Sequence, residues 1–313
     1  MATHNIAVLG ECMVELQQQQ DNLLKRAFGG DTLNTAMYLT RLTQNHAINV
    51  SYVTALGNDP FSQDMLEQWK SEGIDTSLIL QIDDKQPGLY YIETDDTGER
   101  YFHYWRNDAA AKYIFDQPES SELLEKLYAY DGIYLSGITL AILTDSGREI
   151  MFDFLDNYRQ KGGKVIFDNN YRPKLWASQQ VALENYMNML EKTDIALLTF
   201  DDEQDLYGDE HLDTCIDRTT KAGVSEIVIK RGSKECLVIE GGDANYVAAT
   251  KVTNVVDTTA AGDSFSGGYL AKRFTGGSAI KSASAAHKMA GAVIQHPGAI
   301  IPRNAMPSID LDD

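Results

Sequence analysis

Short apolar runs alternate along the chain with amphipathic stretches that end at glycine. Ile6-Ala7-Val8-Leu9 stops at Gly10 and predicts a strand buried on both faces. Similar runs recur at 50–56, 132–135, 165–167, 195–198 and 227–229. Between several of them lie helical patterns. Residues 60–72 follow Asp59 and stop at Gly73, a start and stop signal for a helix. Residues 145–160 end at Gly162-Gly163, and residues 213–221 end at Gly223. Strand, helix, strand alternation of this kind predicts an α/β fold with a mostly parallel central sheet flanked by helices.

One stretch departs from the pattern. Leu89-Tyr90-Tyr91-Ile92-Glu93-Thr94 and Arg100-Tyr101-Phe102-His103-Tyr104-Trp105 flank Asp95-Asp96-Thr97-Gly98-Glu99, which predicts a β-hairpin with a glycine-containing turn. Residues 12–16 add another strand, and Gln17 to Gln20 read as a solvated turn. No internal repeat and no long linker is present. The expectation is one domain over residues 1–313, with a small β-sheet lid built from discontinuous segments near 11–28 and 87–106.

Composition narrows the function classes. Hydrophobic residues make up 43% and charged residues 23%, enough for a sizeable core. The net charge of −19 argues against nucleic acid and against an anionic membrane surface as partners. Any anionic ligand must find local basic groups. Three cysteines without a CxxC pair argue against a disulfide framework or a zinc site. The N-terminus has no basic start followed by a long apolar run, so the expected location is cytoplasmic.

The chemistry concentrates at Asp257-Thr258-Thr259-Ala260-Ala261-Gly262-Asp263. Residues 252–256 read as a strand, and a helix is expected from Asp263 to about Arg273. Small residues before a helix leave its first N–H groups open, and those groups with the helix dipole favour a phosphate. A carboxylate beside a bound phosphate is repelled unless it has a task, and accepting a proton from an attacking hydroxyl is one. Taken alone, a Gly-Asp before a helix is more often a cap. Gly267 and Gly268 are poor helix formers, tolerated where another backbone or a ligand comes close. Two further segments fit a phosphate-transfer site. Lys230-Arg231-Gly232-Ser233 follows a strand as a nucleotide loop would, and Phe28-Gly29-Gly30-Asp31-Thr32-Leu33-Asn34 can set Asp31 and Asn34 against sugar hydroxyls. No Walker A pattern and no protein-kinase catalytic loop is present.

These motifs resemble the PfkB, or ribokinase-like, carbohydrate kinases. Asp257 to Gly268 matches the C-terminal signature of that family, and Gly29-Gly30-Asp31 to Asn34 the N-terminal one. Within the family, the segments Gly10 to Leu16, Phe28 to Asn34, Pro87 to Tyr91, Tyr104 to Asn107 and Phe167 to Pro173 are similar to those of its sugar-acid kinases. The resemblance implies a ribokinase-like fold. It also implies transfer of the γ-phosphate of ATP to the 6-hydroxyl of 2-dehydro-3-deoxy-D-gluconate, in hexuronate or Entner–Doudoroff breakdown. By the same resemblance Asp263 is the general base, and the backbone of Ala260, Ala261, Gly262 and Asp263 is the anion hole. Gly30, Asp31, Asn34, Tyr90, Tyr104, Arg106 and Arg172 line the sugar-acid site. Asn170, Lys230, Gly232, Ser233, Glu235, Gly262 and His287 lie near the nucleotide.

Mg²⁺ is implied, and a monovalent cation is admitted. The Asn-x-x-Glu associated with Mg²⁺ in that family is matched here by Thr199-Phe200-Asp201-Asp202, followed by Glu203. Asp202 and Glu203 are the candidates for holding the ion through water, on what reads as a strand end. The lysine-glycine loop ends in Glu235 where the family often has glycine.

A sugar acid explains the basic and aromatic residues. Arginine binds a planar carboxylate through two parallel hydrogen bonds, so Arg106 and Arg172 are expected to clasp it with help from Tyr90 or Tyr104. Without the resemblance, the same tyrosines and arginines read as ordinary exposed strand residues. The competing functions are another sugar kinase of this family, such as a fructokinase or ribokinase, and a non-catalytic sugar-acid sensor. The exposed edges of an aromatic lid sheet invite pairing with a second subunit, so a homo-oligomer through the lid is expected.

Overall fold

The computed structural model describes residues 3–19, 23–94 and 100–312. The chain opens with β1 (His4–Leu9), β2 (Met13–Gln18), β3 (Leu24–Gly29), α1 (Asp31–Thr43), β4 (Ile48–Leu56), α2 (Pro60–Glu72) and β5 (Ile79–Gln81). It continues through β6 (Leu89–Thr94), β7 (Arg100–Trp105), α3 (Ser120–Leu127), β8 (Gly132–Ser136), α4 (Gly137–Ile142), α5 (Asp145–Gln160) and β9 (Lys164–Asp168). There follow α6 (Gln179–Glu191), β10 (Ile195–Thr199), α7 (Phe200–Tyr207), α8 (Leu212–Lys221) and β11 (Glu226–Lys230). The last elements are β12 (Cys236–Glu240), β13 (Asp243–Val247), α9 (Ala261–Phe274) and α10 (Ala279–Val293).

Nine strands form one sheet in the order β13-β12-β11-β10-β9-β8-β1-β4-β5. From β11 to β5 neighbouring strands are parallel, while the β11–β12 and β12–β13 pairs are antiparallel. The continuous apolar runs follow from burial of both faces. In β1, Ala7 and Leu9 enter the core layer on one side, and Ile6 and Val8 the layer on the other. Leu198 and Leu197 divide in the same way in β10. All three cysteines are free and buried.

A second sheet has four strands in the order β3-β2-β6-β7. Its aromatic strand stays wet: Tyr101, Phe102, Tyr104 and Trp105 are about half exposed. Gln17 and Gln18 belong to β2, paired with Lys25 and Leu24, rather than to a turn. The ladder bonds come from the backbone, so polar side chains do not end the strand at an exposed flank. Gln20 and the hairpin turn at 95–99 lie outside the described residues.

Residues 252–256 are not a strand. The β12–β13 hairpin closes that edge of the large sheet, and the N–H groups of Val256 and Asp257 turn instead to the Ile294 carbonyl at the end of α10, at 2.8 and 3.3 Å. Val255 and Val256 are left more than half exposed. The helix after this segment begins at Ala261, two residues before its expected start. Its glycines answer to packing. A Cβ at Gly267 would lie 2.8 Å from Tyr38 Cβ in α1, and one at Gly268 would lie 3.0 Å from Ala286 Cα in α10.

Candidate active site

The parallel strands β9, β10 and β11 all end at one cavity of about 520 Å³, between the large sheet and the small one. The C-terminal ends of parallel strands are where an open α/β sheet presents side chains to a ligand. Asp168 ends β9, Thr199 ends β10 and Lys230 ends β11, and all three line the cavity.

The floor is the start of α9. Ala260 precedes the helix in the left-handed region, with φ 59°, a conformation that is strained for a residue with a Cβ. No side chain among the described residues caps this helix. Its first residues, Ala261, Gly262 and Asp263, line the cavity, the arrangement that an anion site needs. A Cβ at Gly262 would lie 3.7 Å from Lys230 Nζ, so an anion settling here comes within reach of the ammonium.

Asp263 sits in that first turn. Asn34 Nδ2 donates to its Oδ2 at 2.8 Å, and Thr35 Oγ1 donates to its backbone carbonyl at 3.1 Å. Burial and the neighbouring Asp31 charge push its carboxyl up to about 7. A carboxyl tuned to that range suits a general base working near neutrality.

Lys230 Nζ bonds Asp168 Oδ2 at 2.7 Å, and Ser266 Oγ donates to the same oxygen at 2.9 Å. The two charges flank β10, because Asp168 is in register with Leu197 and Lys230 with Thr199. Asp168 was not among the expected site residues. The signal for it is that two apolar strands end in opposite charges, at Asp168 and Lys230.

Of the residues expected to bind the acceptor, Gly30, Asp31, Asn34, Tyr90, Tyr104 and Arg172 line the cavity together. Asn170, expected near the nucleotide, lines it too, and its Nδ2 donates to Asp31 Oδ2 at 2.6 Å. Arg172 is half exposed, and its guanidinium stands 3.7 Å from Asp202 Oδ1. Arg106 is not brought into the lining. Its guanidinium is paired with the buried Glu11 carboxylate, a partner 95 residues away in sequence. The Tyr90 hydroxyl donates to Glu15.

Of the residues expected near the nucleotide, Lys230, Gly232 and His287 line the cavity, and Arg231 joins them. Ser233 and Glu235 point into solvent outside it. His287 packs edge-on against Phe265 with ring centroids 5.1 Å apart, and its buried Nε2 has no hydrogen-bond partner among the described residues. Burial lowers its pKa and favours the neutral ring.

The metal candidates divide. Asp201, Asp202 and Glu203 occupy the first turn of α7 rather than a strand end. Asp202 faces the cavity, and burial raises its carboxyl to about 6. Glu203 turns the other way, because a helix rotates each successive side chain by about 100°. It is 1% exposed and bonded to Asn169 Nδ2 at 2.9 Å and to Arg218 at 2.6 Å. Glu203, Asp209 and Cys215 lie close enough to hold a cation, but Arg218 already bridges the two carboxylates. One cavity-facing carboxylate fits an ion such as Mg²⁺ that keeps several waters and takes other ligands from phosphates.

A family model described as "pfkB family carbohydrate kinase" matches residues 3–306. The chain belongs to the pfkB family of carbohydrate kinases. This pfkB kinase is 54% identical to a 2-dehydro-3-deoxygluconokinase of Escherichia coli strain K12 over 97% of this chain and 99% of that protein. It is 42% identical to a protein of the same name from Haemophilus influenzae over 98% of each chain. Among solved structures, the 2-dehydro-3-deoxygluconokinase of Thermotoga maritima superposes with a TM-score of 0.82 at 22% identity, over 96% of this chain and 95% of that one. The expected ribokinase-like α/β fold with a small sheet is therefore the fold of this pfkB kinase.

Proposed function

We propose that the protein transfers the γ-phosphoryl group of ATP to the 6-hydroxyl of 2-dehydro-3-deoxy-D-gluconate, giving the 6-phosphate and ADP. The observation that carries this reading is Asp263, a carboxyl raised to about 7 on the uncapped first turn of α9. The relatives named for this activity, at 54% and 42% identity over nearly the whole chain, support it.

In this reading Asp263 accepts the proton of the attacking hydroxyl as its oxygen bonds to the γ-phosphorus. The bond from that phosphorus to the β–γ bridging oxygen breaks, and ADP leaves with the electron pair. The first N–H groups of α9 and the Lys230 ammonium stabilise charge on the transferred group. Arg172, which lines the cavity together with Tyr90 and Tyr104, takes the acceptor's carboxylate and so aims its far hydroxyl at Asp263. Mg²⁺ bound with the nucleotide would neutralise phosphate charge, and Asp202 is the residue that would hold it through water.

No helix among the described residues is long and apolar enough to cross a membrane. The proposed compartment is the cytoplasm, and the proposed oligomer is a homo-oligomer through the half-exposed aromatic face of the small sheet.

The test is ADP release, coupled to a spectroscopic readout, across a panel of sugar acids and neutral sugars. Turnover of 2-dehydro-3-deoxygluconate with the highest kcat/KM is expected. A higher value for fructose or ribose would overturn the substrate assignment, and no turnover of any sugar would overturn the activity.

A further inference from the structure

Glu15 and Tyr90 face one another on neighbouring strands of the small sheet. They are register partners in the parallel β2–β6 pair, and the Tyr90 hydroxyl donates its proton to Glu15 Oε2. The contact is built in on every side. A Cβ at Gly29 would lie 2.4 Å from the Tyr90 hydroxyl oxygen, so only glycine leaves room for the phenol there. The Tyr90 ring is backed by Tyr104 and Phe102, with centroids 5.8 and 6.5 Å away. The residue opposite Glu15 on β3 is Ala27, which offers no side-chain donor. Burial, with the Glu15 charge added to it, pushes the Tyr90 phenol far above its ordinary value, so its proton stays in place.

A phenol has one proton and can also accept. With its proton committed to Glu15, the Tyr90 oxygen can only accept from a ligand. A substrate carboxylate has no proton to give, and the Glu15 charge repels it. A sugar hydroxyl can donate.

We infer that Glu15 is a positioning residue that turns Tyr90 into a hydrogen-bond acceptor, so that this wall of the pocket reads a hydroxyl of the acceptor and turns its carboxylate toward Arg172. The inference rests on the sugar-acid reading above and assigns a part to Glu15, a residue the reaction itself does not use. It also changes the part of Tyr90, which selects a hydroxyl instead of helping to clasp the carboxylate. The Glu15 charge polarises the phenol and strengthens its oxygen as an acceptor.

The experiment is a double-mutant cycle of E15L, Y90F and E15L/Y90F, because leucine removes the acceptor whereas glutamine would keep one. Each protein is assayed with 2-dehydro-3-deoxygluconate and with its 4-deoxy and 5-deoxy analogues. Wild type should prefer the full substrate over one of the analogues by roughly tenfold or more in kcat/KM. Y90F should lose most of that preference, and E15L a large part of it. The double variant should match Y90F. The losses should fall mainly in KM for the acid, with KM for ATP and the thermal midpoint nearly unchanged. Full discrimination in E15L, or multiplicative losses in the double variant, would overturn the inference. The wild-type measurements alone test the activity proposed above, and the cycle is run on whichever acceptor the wild-type enzyme turns over, so the two failures are distinguishable.

Discussion

Asn34 and Asp263 are 229 residues apart in sequence, and the Asn34 amide donates to Asp263 Oδ2 at 2.8 Å. The contact exists because α1 and α9 lie side by side, close enough that Gly267 has no space for a Cβ against Tyr38. It fixes one oxygen of the carboxylate.

Asp263→Asn keeps that hydrogen bond, since the amide oxygen still accepts. It removes the proton acceptor. Turnover should fall by ~10²–10⁴-fold, with binding of ATP retained in calorimetry. A kcat like that of wild type would reject Asp263 as the base.

The same substitution should stabilise the fold at high pH. The Asp263 carboxyl stands at about 7 in the folded protein against an ordinary 3.8. Between those values the folded state holds a proton that the unfolded state has released, so stability falls as pH rises. Below both values there is no contribution, and above 7 the penalty is complete. Asp263→Asn should therefore be more stable than wild type at pH 8, by on the order of a few kcal/mol and with a higher unfolding temperature, and of similar stability near pH 3.5. Wild-type kcat/KM should also decline as pH drops below about 7. Equal melting points at pH 8 would show that the carboxyl is not raised.

Arg172→Met should separate acids from neutral sugars. A charge-assisted hydrogen bond contributes roughly 1.5–3 kcal/mol, so kcat/KM for 2-dehydro-3-deoxygluconate should drop by about one to two decades. A neutral sugar of similar length should change little. If both fall by the same factor, Arg172 serves ATP or the fold.

Lys230→Met should cost stability as well as activity, because it strands the Asp168 carboxylate, which is 3% exposed. Breaking a buried pair costs about 3–5 kcal/mol. Adding Asp168→Asn should restore most of the melting temperature and none of the turnover. A double variant as unstable as Lys230→Met would mean that the pair is not what the loss reflects.

Removal of divalent metal should stop turnover, since the transferred group's charge must be neutralised. Asp202→Asn should raise the Mg²⁺ concentration needed for half-maximal rate, while Glu203→Gln should act on the melting temperature. Unchanged turnover after thorough chelation would remove the metal from the reaction.

The strands of the large sheet were legible because burial on both faces writes a continuous apolar run, as in Ile6 to Leu9, and that signal is local. The helices at Pro60–Glu72 and Asp145–Gln160 carried their caps in the sequence. The start of α9 was legible to within one turn, because small residues lead up to Asp263. What a charged side chain faces was decided by the tertiary structure. Arg106 and Arg172 look equivalent as sequence, but Glu11 neutralises the first, while the second lies half exposed at the cavity. Asp202 and Glu203 are neighbours in the chain, and one turn of helix sends one to the cavity and the other to Arg218. Asp168 meets Lys230 only because β9 and β11 flank β10 in register. Local pattern sets which backbone forms; the freedom of a charge depends on partners that folding brings from elsewhere in the chain.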